Sequence, residues 1–435
     1  MIHTLLLHQA FASKDQPGGT RHFELGQRLV AEGQQFTVVA SDVSYTTGER
    51  SGSGKFVTET CEDGIRVLRV YTYAALKKSY VKRVASFVGF MFSSFIVGMR
   101  VPKPDVVMGT TPPIFQAVSA WLIAALRRRP FLLEIRDLWP EFAIDIGLLR
   151  NPVLIALARW LENFLYSHAD HLLVNSPAYR DYLIAKGVSS SKVRFIPNGV
   201  DPAMFFPDER ARDIRQKYKI DDRFVVTYAG AMGMANDLDV LLQAAAGLRN
   251  RQDIHILLVG DGKERNRLER LAGEWNLCNV TFAGSFPKSE MGRVLAASDA
   301  CLAILRNIKM FTTTFPNKVF DYMAAGRPTL LAIDGVIRKV VEDADGGTFV
   351  EPGNAAELVR AIESMADDPA RARQMGQDAR AWVVQHYCRD QQAKELQEFI
   401  SMIASQKNVG GPETIRPAAE EIISSHSSSQ SPRVG

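Results

Sequence analysis

A single rhythm constrains this chain more than any other feature. Short apolar runs of strand length alternate with helical patterns, and the alternation breaks once and restarts. The first series is "IHTLLLH" (2–8), "FTVVAS" (36–41), "DVVMGT" (105–110), "FLLEI" (131–135), "HLLVNS" (171–176) and "KVRFIP" (192–197). Helical periodicity lies between these runs: Phe23, Leu25, Leu29 and Val30 share one face, and 114–127 and 153–167 read as helices. The turn-rich stretch "PNGVDPAMFFPDERARDI" interrupts the series. It resumes at "RFVVTYAGAMG" (223–233) and continues through "IHILLVG" (254–260), "NVTFAG" (279–284), "ACLAIL" (300–305), "PTLLAI" (328–333) and "GTFV" (347–350). Strands that alternate with helices pair in parallel, because a parallel crossover needs a helix-length connection. The expected fold class is therefore α/β, with two doubly wound Rossmann-like domains facing each other across a cleft. The boundaries expected are 1–205 and 206–390, then a helix over 391–407 that packs back on the first domain. The polar, Gly-, Pro- and Ser-rich tail at 408–435 is expected to be disordered.

Ligands of such sheets bind beyond the carboxyl ends of the strands, so four loops attract notice. In "SKDQPGGTRH" (13–22), Gly18 and Gly19 allow close backbone approach ahead of a helix that starts near Thr20. An ordinary glycine turn would look the same. In "YAGAMGMANDLDVLL" (228–242), Gly230 and Gly233 follow a strand and Asn236 could cap the next helix. This is neither GxGxxG nor a GK[ST] loop, which weakens a dehydrogenase or ATPase reading. In "EIRDLWPE" (134–141), Arg136, Asp137 and Glu141 follow a strand end, and at least one of them is expected in a structural ion pair. In "TTTFPNKVFDYMAAGRP" (312–328), Pro316 suits a helix start and Gly326 a helix stop. Lys318 and Asp321, three apart, are expected on one face. A cation in the first turn opposes the helix dipole, and a bound anion would offset that. A solvated Lys–Asp pair is the plainer alternative.

Other chemistry is poorly supported. Cys61, Cys278, Cys301 and Cys388 make no CxxC pair. The DxD matches at 237–239 and 343–345 do not suggest a metal, and His8, His22 and His168 read as structural rather than catalytic. A net charge of +4 does not argue for nucleic acid. The start of the chain reads as a first strand and loop, not a signal peptide. The uncharged run "VASFVGFMFSSFIVGM" (84–99), flanked by Lys77, Lys78, Lys82, Arg83, Arg100 and Lys103, is too short to span a bilayer. It reads either as a core helix or as an interfacial one.

In order and spacing, "PGGTRHFELGQRLVAEG", "RDLWPE", "FIPNGVD", "YAGAMG", "LLVGDGKERNRLE", "VTFAGSFPKSEMGRVLAASDACL" and "FPNKVFDYMAAGRP" resemble the family-4 glycosyltransferases of the GT-B fold. The likeness spans nearly the whole chain to about residue 390, and is strongest to bacterial O-antigen and capsule enzymes of the L-fucosamine type. It implies a retaining transfer from a nucleotide-sugar donor, with a UDP-linked N-acetyl amino sugar as first expectation, and neither a metal nor a cofactor. The implied acceptor is a saccharide on a polyprenyl diphosphate at the inner membrane face. The enzyme would then be cytoplasmic, meeting that surface through 77–103. Carried over by position, Gly18, Gly19, Gly230 and Gly233 would approach the donor diphosphate. Lys318 would contact a phosphate oxygen and Asp321 the ribose. Gly284, Ser285 and Phe286 would lie near the base, and Arg136 and Asp137 would face the acceptor or transferred sugar. The family's paired carboxylates fall here on Thr313 and Asp321, so one is missing. A nucleotide-sugar 2-epimerase of the same fold and a non-catalytic nucleotide-sugar-binding subunit are the rival readings.

Overall fold

A computed structural model describes residues 1–16, 18–44, 48–51, 55–75, 80–205 and 211–406. Lys77, Lys78, the boundary at 206 and the tail expected at 408–435 lie outside them. Two sheets form. The first contains β1 (His3–Leu7), β2 (Gln35–Ser41), β3 (Val57–Glu62), β4 (Ile65–Val70), β5 (Val106–Thr111), β6 (Phe131–Ile135), β7 (His171–Val174) and β8 (Val193–Phe195), in the order 3-4-2-1-5-6-7-8. The second contains β9 (Phe224–Ala229), β10 (Ile254–Val259), β11 (Val280–Gly284), β12 (Ala300–Ile304), β13 (Thr329–Ala332) and β14 (Gly347–Phe349), in the order 11-10-9-12-13-14. Every pairing between these strands is parallel except β3 with β4. β1, β5, β6 and β10 are buried along their full length, which is why they read as unbroken apolar runs.

The β3–β4 hairpin is absent from the sequence reading. β3 is a half-exposed edge strand, "VTETCE", too polar to stand out. The signal that could have found it is the Asp63-Gly64 turn, where both residues have positive φ (47° and 83°). Two left-handed residues in succession are what a tight hairpin with right-handed twist requires.

The first five helices are α1 (Arg21–Ala31), α2 (Tyr80–Gly98), α3 (Phe115–Arg127), α4 (Glu141–Asp145) and α5 (Pro152–His168). α2, α3 and α5 cover one face of the first sheet, where Phe90, Ala120 and Leu165 meet Leu5, Leu7 and Leu133. α1 covers the other, with Phe23 and Leu25 against Leu6 and Val38. The end of the described chain holds two helices, Pro369–His386 and Arg389–Gln406. Trp382 packs on the second lobe, whereas Leu396, Phe399 and Ile400 join the core beneath α1. The chain crosses between lobes twice, side by side: the Val200 amide donates to Tyr387 O at 3.0 Å and the Arg389 amide to Val200 O at 2.9 Å. Buried Arg389 clamps this crossing, donating to Gly199 O at 2.5 Å and to Glu24 of α1 at 2.7 Å. Among the described residues, no helix is long and apolar enough to cross a membrane.

Candidate active site

The strand ends of both sheets meet at the cleft. In the second lobe the backbone itself shapes the floor. Gly230 directly follows β9, Gly260 directly follows β10 and Gly284 ends β11, and the Gly230 amide donates to Val259 O at 2.9 Å while the Gly260 amide donates to Gly284 O at 2.8 Å. A Cβ on Gly260 would fall 1.9 Å from Gly230 O, and one on Gly262 would fall 2.3 Å from Met232 O. Only glycine permits backbones this close. Gly260 and Gly262 were not singled out in the sequence, although "GDG" directly after a strand was the available signal. Gly233 is different: a Cβ there would meet only Asn236 Nδ2, at 3.7 Å. The next helix begins at Leu238 with Asp237 as its cap residue, so Asn236 is not the cap expected. Asp237 holds the left-handed turn instead (φ 37°).

Lys318 stands over this floor. It lies in the first turn of the helix Asn317–Ala324, which Pro316 opens in extended conformation. Its half-buried side chain brings the amine 3.1 Å from the Tyr228 hydroxyl and 4.3 Å from the centre of the Tyr228 ring. A Cβ on Gly230 would fall 2.7 Å from that amine, so glycine makes room for the lysine. Burial pulls the Lys318 amine down to about 7. Among the described residues no ion pair joins it. One turn on, Tyr322 pins the helix to β9: its hydroxyl accepts from the Ala229 amide at 3.0 Å and donates to Ala229 O at 2.9 Å. Lys318 and Tyr322, four apart, therefore share the β9 face.

Asp321 does not share it, contrary to the expected Lys318–Asp321 face. It turns away and pairs with Lys288, at 2.6 Å, on the helix Lys288–Ala296. Burial pushes the Asp321 carboxyl up and Lys288 holds it partly down. Glu24 of α1 lies near enough to push the Asp321 carboxyl up, and Lys288 helps to hold Glu24 down. The first lobe's glycine loop also meets this region, as the Ser289 amide donates to Lys14 O at 3.1 Å. Within that loop a Cβ on Gly18 (φ 149°) would touch Ala12, whereas Gly19 faces open space. Gly284 has positive φ (80°), Ser285 is exposed and Phe286 is half-buried, with the Lys217 amine 5.5 Å from its ring centre.

The first lobe contributes a polar cluster at the ends of β1 and β6. Glu134 is fully buried, accepts from Arg21 Nε at 3.0 Å and is bonded to His22 Nε2. Burial would raise its carboxyl, but His22 and Arg21 overcome that and hold it ionised. Arg136 is fixed by Thr110 Oγ1 at 2.7 Å and Pro112 O at 2.9 Å. The surrounding protein pushes the Asp137 carboxyl up to about 6, with Arg136 pulling the other way. Asp137 is nonetheless exposed, so the shift reflects surrounding protein rather than enclosure. Glu141 takes the structural ion pair, with Arg159 at 2.8 Å. His22 and His168 have structural partners. His8 is less settled: its ring lies edge-on 4.4 Å from that of His22, and both its buried nitrogens lack hydrogen-bond partners. Nothing local in the sequence distinguishes it from a core histidine.

Thr313, where the resemblance implies a carboxylate, ends a short 3-10 turn, Lys309–Thr313. Its hydroxyl donates to Met310 O at 2.6 Å, and its carbonyl accepts from Ser176 Oγ at 2.6 Å across the cleft. Phe311 of the same turn meets Phe142 of α4, with ring centres 5.5 Å apart. Among the described residues no cluster of His, Cys, Asp or Glu could hold a metal.

The family descriptions "Glycosyl transferase 4-like domain" and "Glycosyl transferases group 1" match residues 18–199 and 210–382. WcaI of Escherichia coli (strain K12), a glycosyl transferase assigned to colanic acid biosynthesis, is 25% identical over 353 residues, covering 78% of this chain and 86% of its own. Among solved structures, sucrose-phosphate synthase from Thermosynechococcus elongatus superposes with a TM-score of 0.74 at 20% identity, covering 93% of this chain and all (100%) of its own. Anabaena HepE in complex with UDP-glucose superposes at 0.69 with 17% identity, covering 92% and 100%. At these identities the structural likeness shows the fold, two Rossmann-like lobes arranged as in GT-B glycosyltransferases.

Proposed function

The chain belongs to the group 1, 4-like glycosyltransferases, and from that premise we propose that it moves a sugar, with retention at the anomeric carbon, from a nucleoside diphosphate to a lipid-linked saccharide. The observation that carries this reading is the Lys318 amine: half-buried, unpaired with any described carboxylate, and placed at a helix start above Gly230. Even a half-buried cation without a counterion loses part of its hydration uncompensated. A diphosphate would supply the missing charge and accept from the free N–H groups of the first helical turn.

In the reaction, the bond from the anomeric carbon to the β-phosphate oxygen breaks and the electron pair leaves with the nucleotide. Lys318 and the helix N–H groups oppose that growing negative charge, and it is charge arising in the transition state that such donors should stabilise most. The acceptor oxygen bonds to the anomeric carbon from the face the leaving group vacates. Its proton passes to the departing phosphate or to Asp137, whose raised pKa suits it to receive one. Arg136 and Asp137 bracket the acceptor side. Asp321 binds the ribose hydroxyls after exchanging Lys288 for them, and Gly284, Ser285 and Phe286 surround the base. Gly18, Gly19 and Gly233 let backbone approach the diphosphate.

A UDP-linked amino sugar is the preferred donor, in line with the UDP-glucose in HepE. Bacterial surface polysaccharide synthesis is the setting, in line with WcaI. The acceptor's lipid would hold the enzyme at the cytoplasmic membrane surface, with 77–103 in contact. The test is a panel of nucleotide sugars, with and without a short-chain lipid-diphosphate saccharide, analysed by mass spectrometry. Glycosylated acceptor is expected with one donor class. Donor conversion without acceptor would instead indicate an epimerase, and binding without turnover a non-catalytic subunit.

A further inference from the structure

The outer surface of the first lobe has the wrong chemistry for a face in water. α2, α3 and α5 lie side by side on one face of the sheet: Ser119 of α3 donates to Met91 O of α2 at 2.7 Å, and Trp121 of α3 meets Phe164 of α5 with ring centres 4.8 Å apart. Their outward sides therefore form one surface. On it Phe92 is 60% exposed, Leu126 62%, Val153 65%, Leu157 56% and Trp160 62%. Scattered exposed apolar residues are ordinary, but a contiguous apolar face marks an interaction site.

α5 is the extreme case. Val153, Leu154, Leu157 and Trp160 follow helical spacing on the outside, while Ala158 and Leu165 fill the inside. A surface helix should be polar on its outer face; on this one the exposed Arg159 and Asn163 share the outside with Val153, Leu154, Leu157 and Trp160. The charge pattern says what covers it. Among the described residues of the three helices, the single carboxylate is Glu162, buried and bonded to Lys186. Exposed cations stand at the helix ends: Lys82 and Arg100 at α2, Arg128 after α3 and Arg150 before α5. A second copy of this chain docked through the same three helices would bring cation against cation, with no exposed carboxylate among their described residues to receive them. An anionic lipid surface complements both features at once, taking apolar side chains between its headgroups and cations around the rim.

We infer that the outward faces of α5, α3 and α2 seat together on an anionic lipid bilayer, with Leu157 and Trp160 entering the acyl boundary. This rests on the membrane part of the reading above and moves its centre from 77–103 to α5. The site and the surface are mechanically joined: Arg159 of α5 holds Glu141 of α4 at 2.8 Å, and α4 follows directly from the Arg136–Asp137 loop. A lipid-borne saccharide rising from that bilayer enters the acceptor side of the cleft.

The test is flotation of the full chain with phosphatidylethanolamine–phosphatidylglycerol vesicles and with pure phosphatidylcholine vesicles. The wild type should bind the anionic vesicles more strongly, and adding salt should weaken that binding. The double variant Leu157→Glu, Trp160→Glu should lose roughly tenfold or more in partitioning. Trp160→Ser alone should show a smaller loss in the same direction. Unchanged circular dichroism and donor binding would establish that both variants fold. Wild-type partitioning in the double variant, or no binding of anionic vesicles by the wild type, overturns the inference. So does concentration-dependent self-association that the double variant abolishes, which would assign the face to a second copy. Transfer to a short-chain, water-soluble acceptor should survive in the double variant. Its absence already in the wild type would instead count against the proposed function, leaving the vesicle result intact.

Discussion

The amine of Lys318 rests on Tyr228, 3.1 Å from its hydroxyl and 4.3 Å from its ring centre, where Gly230 leaves space for it. The contact replaces a counterion with a ring face and a hydroxyl, which stabilise a cation only modestly. The site is therefore primed for an anion, and the cost of that priming should be measurable.

Lys318→Ala should reduce kcat by about 10²- to 10³-fold, the usual effect of losing one donor to transition-state charge. The donor Kd should move by far less. Steady-state kinetics together with calorimetric titration of the intact donor separate the two. An unchanged kcat would remove Lys318 from the leaving-group role.

The lowered amine also predicts two opposite pH dependences. A bound diphosphate favours protonated Lys318, so affinity for an intact nucleotide sugar should hold below about 7 and weaken by up to about tenfold per pH unit above it. Stability runs the other way. Below about 7 native and unfolded chains both carry the proton, and the native state bears the full cost of the buried charge. From about 7 to 10.5 the unfolded chain alone stays protonated, so that cost recedes as pH rises. Lys318→Met should therefore raise Tm more near the acid end than near the alkaline end, as read by calorimetry. A gain independent of pH would mean that the amine titrates normally.

Asp321→Asn should weaken donor binding by about tenfold to a hundredfold if the carboxylate takes both ribose hydroxyls, since bonds to a charged acceptor contribute about 1.5–3 kcal/mol. Lys288→Met should act less and in a different way, by releasing Asp321 and raising its carboxyl further. Comparing UDP with its 2′-deoxy analogue in both variants isolates the ribose contact. Equal discrimination between the two nucleotides in the wild type and in Asp321→Asn would place the ribose elsewhere.

Glu24 and Arg389 form a buried pair at 2.7 Å. Arg389→Met should destabilise the chain by about 3–5 kcal/mol, because Glu24 is left charged and buried. The double variant Glu24→Gln, Arg389→Met should recover a large part of that loss. Urea unfolding followed by circular dichroism gives both numbers. If the two single changes simply add, the pair is not coupled.

Much of this protein was legible in its sequence because the signals are local. Strands buried on both faces must be continuous apolar runs, so β1, β5, β6, β9 and β10 could be read directly, and with them the two α/β lobes. Proline at a helix start and glycine at its end are backbone requirements, so the helix bearing Lys318 could be placed between Pro316 and Gly326. The β3–β4 hairpin was missed because an edge strand keeps polar residues on its open side. Other features needed the tertiary structure because they depend on what stands opposite. Spacing put Lys318 and Asp321 together, yet Tyr228 lies on one side of their helix and Lys288 on the other, and each side chain follows its partner. Gly260 and Gly262 matter only because Gly230 and Met232 cross beside them. The run 153–167 reads from its sequence simply as a helix between two strands. Only its place on the outside of the lobe, where Leu157 and Trp160 stay exposed among the described residues, turned the same residues into a surface.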